Sequence, residues 1–278
     1  MTIDTQATGH RPAPTVSLEL DSPELAATYD RVSTRQFEHG KILIAELAAK
    51  PGSKVLDVGC GTGRLGDYVA NILGPESRVF GVDPLPLRIE IAARKNPRFE
   101  ASVGRAEDLT QFADGTFDAL YANSVFHWVE DKPKALREFF RVLKPGGRFA
   151  INSADGARAH QSVTLVREAS QEEGLSETAA GGFGTNYRIS GEDLARLVRT
   201  AGFEGVVVKP HTFIDDIHDV DELIAWSTSS SFGNFLSDLT PTQKKRVRDR
   251  LSTKLHALRR GGVIKLERYL VFATATKP

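Results

Sequence analysis

The stretch VLDVGCGTGRLG, Val55 to Gly66, sets four glycines and an apolar run around a single acid, Asp57. Twenty residues beyond Gly63, the apolar run RVFGVD ends on a second acid, Asp83, followed by Pro84. Glycines let a backbone approach a ligand closely. A helix starting after such a turn presents unpaired N–H groups, and a carboxylate at Asp83 can accept from both hydroxyls of a ribose. Together they form a site for a nucleotide-like ligand. Gly61-x-Gly63-x-x-Gly66 with an acid at that distance is also the dinucleotide fingerprint, so this window alone supports an NAD-type oxidoreductase. Asp57 has two readings: a counter-charge for a cationic ligand, or a brace for the glycine turn. Further along, FHWVED holds His127 beside Trp128. An imidazole can donate a hydrogen bond or act as a base, and an indole supplies an apolar wall with one N–H. The alternative is that both rings pack beneath the helix that follows.

These residues need elements to position them. Short apolar runs alternate with segments of helical period: KVLDVG (54–59), RVFGVD (78–83), FEASVGR, FDALYANSVF (117–126) and GRFAINSA read as strands. GRLGDYVANILG, PLRIEIAARKN (86–96) and KPKALREFFRVLK read as helices between them. In the last of these, Ala135, Leu136, Phe139, Phe140 and Leu143 share one face. Such alternation predicts an α/β fold with a mainly parallel, doubly wound sheet. The later part has helical segments at 157–173, at SGEDLARLVRTAG, where Ser190 is the expected cap, and over 219–262. GVVVKPHTFIDD and KLERYLVFATATK are further strands. The helical stretches are expected to form cap insertions at about 155–189 and 219–262. Before the first strand, LAATYDRVSTRQFEHGK is expected to be a helix that brings Tyr29, Gln36 and His39 to the site. Residues 1–20 are expected to be a disordered tail, and 21–278 one domain.

The 278 residues are 40% hydrophobic, which is ample for a core, and the 36 basic and 36 acidic side chains cancel. Proteins that grip nucleic-acid backbones usually carry a basic surplus, so no nucleic-acid partner is expected. One cysteine, Cys60, excludes an internal disulfide and a cysteine-rich zinc site, and no metal is expected. No apolar run approaches the ~18 residues of a membrane span. No membrane association is expected, and the location expected is cytoplasmic.

Taken in order, VLDVGCGTGRLG, GVDPL, VGRAEDL, FDALYANSVFHW and LKPGGRFAI closely resemble the class I S-adenosylmethionine-dependent methyltransferases. The likeness is dense from Lys54 to Ile151 and looser over the final strand. It implies a seven-stranded sheet whose last strand, KLERYLVFATATK, is antiparallel, with S-adenosyl-L-methionine as cofactor. It also implies the site residues. Gly59, Cys60, Gly61 and Gly63 would lie at the amino-acid end, near Asp57 and Tyr29. Asp83, with Pro84 beside it, would take the ribose. Ala106, Glu107 and Asp108 would lie at the adenine, with Glu107 preferred over Asp108 as its partner. Asn123, Ser124 and Val125 would lie beside the methionine part.

A His-Trp pair after the fourth strand resembles small-molecule carboxyl methyltransferases, such as those acting on trans-aconitate, juvenile hormone acid and malonyl carrier protein. His127 and Trp128 are therefore the candidate catalytic residues, facing a small-molecule acceptor. The sequence Asn123-Ser124-Val125-Phe126 lacks the Pro-Pro-aromatic pattern of adenine and amide methylation, and a single cysteine argues against an arsenite-type enzyme. Phe183 and Tyr187 are expected in a flap; Trp226, Phe232 and Phe235 either line the acceptor pocket or belong to a core. Three other readings stand beside the small-molecule enzyme: a macromolecular methyltransferase acting on RNA or protein, the oxidoreductase, and a non-catalytic binding module of the same fold. The acceptor, its methylated atom and the oligomeric state are not specified by these residues.

Overall fold

The computed structural model describes residues 16–175 and 187–278. Among them, seven strands form one sheet in the order β3-β2-β1-β4-β5-β7-β6. These are β1 (Lys54–Val58), β2 (Arg78–Asp83), β3 (Phe99–Val103), β4 (Phe117–Asn123), β5 (Leu143–Ala154), β6 (Glu204–Ile217) and β7 (Ile264–Thr276). Strands β1 to β5 pair in parallel, and β7 runs antiparallel to both β5 and β6. The expected doubly wound sheet with an antiparallel last strand is the observed one. After Lys54, every residue of β1 is buried, as befits a strand covered on both faces.

Helices cover both faces. On one side, α2 (Thr34–Leu47), α3 (Arg64–Leu73) and α4 (Pro86–Ala92) contribute Leu43, Leu47, Val69 and Ile89 to a core with Val55 and Tyr121. On the other, α5 (Lys132–Val142) and α7 (Gly191–Thr200) bring Leu136, Phe139, Leu194 and Val198 against Leu56, Phe117 and Ile151. Asp131 caps α5 and Ser190 caps α7, each accepting a backbone N–H of the first turn.

A third core explains the cap. β7 pairs with β5 only from Leu270 onward, so its first residues, together with the end of β6, project past the sheet. Ile217, Ile264 and Leu266 on this projection pack with α6 (Gln161–Glu172), α8 (Val220–Ser230) and α9 (Pro241–Leu258) through Val166, Leu223, Val247 and Leu251. The two insertions thus build one layer over the carboxyl ends of the parallel strands, where open α/β sheets bind ligands.

Several boundaries differ from the sequence expectations. The leading helix is two helices, α1 (Pro23–Val32) and α2, divided at buried Ser33. The break lets α1 lie on the cap while α2 lies along the sheet. β4 stops at Asn123 rather than running to Phe126, because Ser124 adopts φ +59°. Of the expected tail, residues 1–15 lie outside the described residues. Ser17 is pinned by Asn234, which accepts from its N–H at 3.0 Å and donates to its carbonyl at 2.7 Å.

Candidate functional site

One cavity of about 710 Å³ lies between the sheet and the cap. Its size falls in the ~300–1,000 Å³ range of small-molecule sites. Among the candidates, Tyr29, Gly59, Gly61, Asp83, Pro84, Ala106, Glu107, Asn123, Ser124, Val125, His127 and Trp128 line it. Gln36, His39, Tyr187, Trp226 and Phe232 line it as well. A side cavity of about 30 Å³ at the glycine turn is lined by Asp57, Cys60, Thr62, Tyr29 and Gly59. Gly63 and Asp108 line neither, so the structure does not bring these two to the site. Gly63 is needed for packing: a Cβ there would sit 2.6 Å from Phe99 and 2.8 Å from Ala92. Asp108 is exposed and accepts from the Thr110 hydroxyl and N–H. Phe183 lies outside the described residues, and Phe235 belongs to the cap core.

The glycine turn is built differently from a phosphate cradle. The N–H groups of Gly59 and Cys60 both donate to the Val82 carbonyl, Gly61 N–H donates to Asp83 Oδ2 at 2.9 Å, and Gly63 N–H donates to the Cys60 carbonyl. These four N–H groups are thus engaged within the protein and not offered to a phosphate. The turn still needs its glycines: Gly59 has φ +74°, and a Cβ there would lie 2.2 Å from Val125 Cγ2. The Cys60 side chain turns inward, toward the space above Gly81.

Asp83 accepts from Gly61 N–H and, through Oδ1, from Leu85 N–H at 3.0 Å. Each carboxylate oxygen accepts twice, so both keep capacity for ribose hydroxyls. Burial raises its pKa, and Arg88 together with these two N–H groups pulls it back. The Arg88 guanidinium itself is buried, lies 4.3 Å from the Tyr29 ring and binds both oxygens of Asp21. Asp57 accepts from the Tyr121 hydroxyl at 2.8 Å rather than from the turn, and burial pushes its pKa up to about 8.

The residues fit S-adenosylmethionine at three points. The Thr62 hydroxyl is buried with no hydrogen-bond partner among the described residues, and it faces the side cavity together with Asp57. An amino-acid terminus supplies what both lack. Asp83 retains two acceptor positions, and Glu107 lines the cavity at 14% side-chain exposure, where Asp108 does not. The end of β4 is held by a residue the sequence reading missed: Asn152 accepts from Ser124 N–H at 2.6 Å and donates to Asn123 Oδ1 at 2.8 Å, bracing the positive-φ turn. Also missed were Arg88, His160, Arg188 and Arg268, all in the cavity wall. His160 and Arg268 stand far along the chain from any motif, and Arg88 and Arg188, although close to GVDPL and to Tyr187, carried no local signal of their place in the wall.

Comparison with known proteins agrees with this geometry. Residues 56–151 match the methyltransferase domain family. A phosphoethanolamine N-methyltransferase 1 of Triticum aestivum is 29% identical over 81% of this chain, which spans only 42% of that protein's length. A trans-aconitate 2-methyltransferase of Deinococcus radiodurans is 26% identical over 85% of this chain and 91% of its own. Among solved structures, Haemonchus contortus phosphoethanolamine N-methyltransferase 2 in complex with S-adenosyl-L-methionine is similar in fold. Its TM-score is 0.58 at 17% identity, covering 92% of this chain and 57% of that one. The [4+2]-cyclase SpnF shares the fold too, with a TM-score of 0.54 at 20% identity over 87% of this chain and 80% of that one. The fold by itself therefore does not dictate the reaction. Domain match, sheet order and the ligand-sized cavity at the glycine turn agree: residues 56–151 carry a methyltransferase domain, set in a Rossmann-like sheet of the kind S-adenosylmethionine-dependent methyltransferases have.

Proposed function

We propose that this protein transfers the methyl group of S-adenosylmethionine to a small-molecule acceptor held beneath the helical cap. The observation that carries the reading is the single cavity that continues from Asp83 and Glu107, past Asn123–Val125, to His127, Trp128 and Trp226. Its volume gives room for the cofactor and a small acceptor together. When bound, S-adenosylmethionine supplies a methyl group already activated on a sulfonium, so the chain's task is to bind, align and exclude water.

Asp83 would hold the ribose, Glu107 the adenine amine, and Asp57 with Thr62 the amino-acid end. Asn123 and Ser124, fixed by Asn152, set the floor beside the reacting atoms. Trp128 and Phe232, with ring centroids 4.8 Å apart, and Trp226 wall the acceptor side. Gln36 ties this wall to α2, accepting from the Trp226 indole N–H at 3.1 Å and donating to Ser230 at 3.0 Å. Such a roofed cavity suits a small acceptor better than a polynucleotide or a protein side chain, and the relatives named above act on small molecules. No helix among the described residues is long and apolar enough to cross a membrane. The buried free thiol of Cys60 suits a reducing compartment, and we assign the protein to the cytoplasm.

The test is equilibrium binding of S-adenosylmethionine and NAD to the full chain. Transfer of labelled methyl from S-adenosylmethionine into a small-molecule fraction or a macromolecular fraction follows. Micromolar binding of S-adenosylmethionine with label in the small-molecule fraction supports the reading. Preference for NAD, or label entering only RNA or protein, refutes it.

A further inference from the structure

His127 and His160 stand on different segments but have the same wiring. The N–H of Ala154, at the end of β5, donates to His127 Nδ1 at 3.2 Å. The N–H of Tyr269, on neighbouring β7, donates to His160 Nδ1 at 3.0 Å. A neutral imidazole whose Nδ1 accepts carries its proton on Nε2. Both rings are neutral, because burial holds His127 down to about 3 and His160 well below the usual value, with Arg188 and Arg268 adding to the effect. Each ring therefore offers the cavity an N–H donor. The one lone pair of each ring, on Nδ1, is occupied by a backbone N–H and so is not turned to the cavity to take a proton.

Two guanidinium groups share this wall. Arg268 lies 4.4 Å from the Trp226 ring and is fixed by Asp215, which accepts from its Nε at 2.7 Å. Arg188 remains a cation at neutral pH, although burial, then Arg167 and Arg268, bring it down to about 10. Of the carboxylates that line the cavity, Glu19, Asp83 and Glu107 belong to other segments, and Glu130, on the loop of His127, accepts from the Tyr187 hydroxyl. Asp155 accepts from Ala157 N–H, pairs with Arg158 and also stabilises the charged form of Arg188.

A wall of donors and cations selects a group that only accepts hydrogen bonds and bears negative charge. We propose that the acceptor carries an oxyanion, a carboxylate or a phosphate monoester, bound by the Nε2–H donors of His127 and His160 and charge-paired with Arg188 and Arg268. The proposal rests on the methyltransferase reading above. It gives His127 a binding role in place of the basic one.

Trp128 and Trp226, the only two tryptophans of the chain, both line the cavity, so fluorescence reports its occupancy. S-adenosylmethionine binding is measured first by calorimetry. The full chain loaded with S-adenosylhomocysteine is then titrated with trans-aconitate against its trimethyl ester, and with phosphoethanolamine against ethanolamine. At least one anion is expected to bind tenfold or more tightly than its uncharged or dephosphorylated counterpart, and the winning pair tells carboxylate from phosphate. His127→Asn and His160→Asn keep a side-chain oxygen for the backbone N–H, while the shorter amide does not place a donor where Nε2–H stood. Each should weaken that anion by ~10–100-fold, as should Arg188→Met, with S-adenosylmethionine affinity unchanged. If the cofactor binds and neither anion outbinds its counterpart, the oxyanion site is overturned and the methyltransferase reading stands. Anion binding that survives all three substitutions overturns it likewise. Absence of cofactor binding removes the methyltransferase reading, and this proposal with it.

Discussion

Asp57 on β1 and Tyr121 on β4 are register partners, and the Tyr121 hydroxyl donates to Asp57 Oδ2 at 2.8 Å in a fully buried position. Burial, opposed by this bond and reinforced by Asp83, lifts the Asp57 carboxyl to about 8. The acid at the head of the glycine turn is thus protonated at neutral pH until a cation arrives. The ammonium end of S-adenosylmethionine is such a cation.

Cofactor binding at pH 7 should therefore release a proton. Calorimetry in buffers of different ionisation enthalpy should show release by wild type and none by Asp57→Asn. For the unliganded protein the sign is fixed as well: the folded value lies above the ordinary carboxylate value of about 4. The favourable contribution is complete below that value and is lost as pH rises through about 8. The melting temperature of Asp57→Asn should accordingly fall less between pH 5 and 9 than that of wild type. Parallel curves for the two proteins would contradict the assignment.

Glu107 offers a cleaner probe of the cofactor than Asp83, whose removal also strands the N–H groups of Gly61 and Leu85. Glu107→Ala should weaken S-adenosylmethionine by one lost charge-assisted bond, about 1.5–3 kcal/mol, without lowering the melting temperature. Asp83→Ala should cost more affinity and stability together. Asp108→Ala, on the exposed loop, should leave affinity unchanged. Equal losses at 107 and 108 would undo the distinction.

Gly59→Ala tests the close approach of the turn to the β4 end. Its Cβ would meet Val125 Cγ2 at 2.2 Å in a backbone with φ +74°. The combined strain is expected to cost about 1–3 kcal/mol of stability and most of the cofactor affinity. Val125→Ala in the same chain should restore part of the loss, which thermal melts and binding isotherms can read directly.

Arg88 and Asp21 form a buried ion pair that straps the segment before α1 against the cavity, with Arg88 Nη2 also donating to the Ser229 carbonyl at 2.7 Å. Removing one partner of such a pair typically costs about 3–5 kcal/mol. Arg88→Met should raise hydrogen exchange over residues 17–22 and speed cofactor release. Unchanged exchange there would show that Asn234 alone holds the segment.

His127 should leave no mark on the pH–rate profile between pH 5.5 and 8. Burial holds its ring neutral down to about 3, so it does not titrate in that window. The matching stability effect runs opposite to that of Asp57: the lowered folded value makes the protein lose stability as pH falls below the unperturbed ~6.5. A limb near 6.5 that vanishes in His127→Asn would restore the general-base role.

The sequence by itself determined the sheet, the glycine turn and the acids that flank it. Those features are local: an apolar run, its turn and the acid at the next strand's end lie within thirty residues, Val55 to Asp83, and parallel strands bring successive turns to one edge. Periodicity placed α5 and α7, and Ser190 as the cap of α7, for the same reason. Gly63 and Asp108 lie outside the cavity lining because a motif does not say which way a backbone position faces. Phe99 and Ala92, remote from Gly63 in sequence, decide that its missing side chain serves packing.

Beyond His127 and Trp128, the wall around them belongs to tertiary structure. His127 follows β4, His160 precedes α6, Arg188 precedes α7 and Arg268 lies on the projecting part of β7. Only the sheet order, which sets β7 beside β5, makes them one wall. The protonation of the two histidines is decided at the same level, because the N–H groups that occupy their Nδ1 atoms come from strand residues distant in sequence. A side chain's type is written in the chain. Its tautomer, its charge and its neighbours depend on burial and on long-range pairing, and those exist only once the fold has closed.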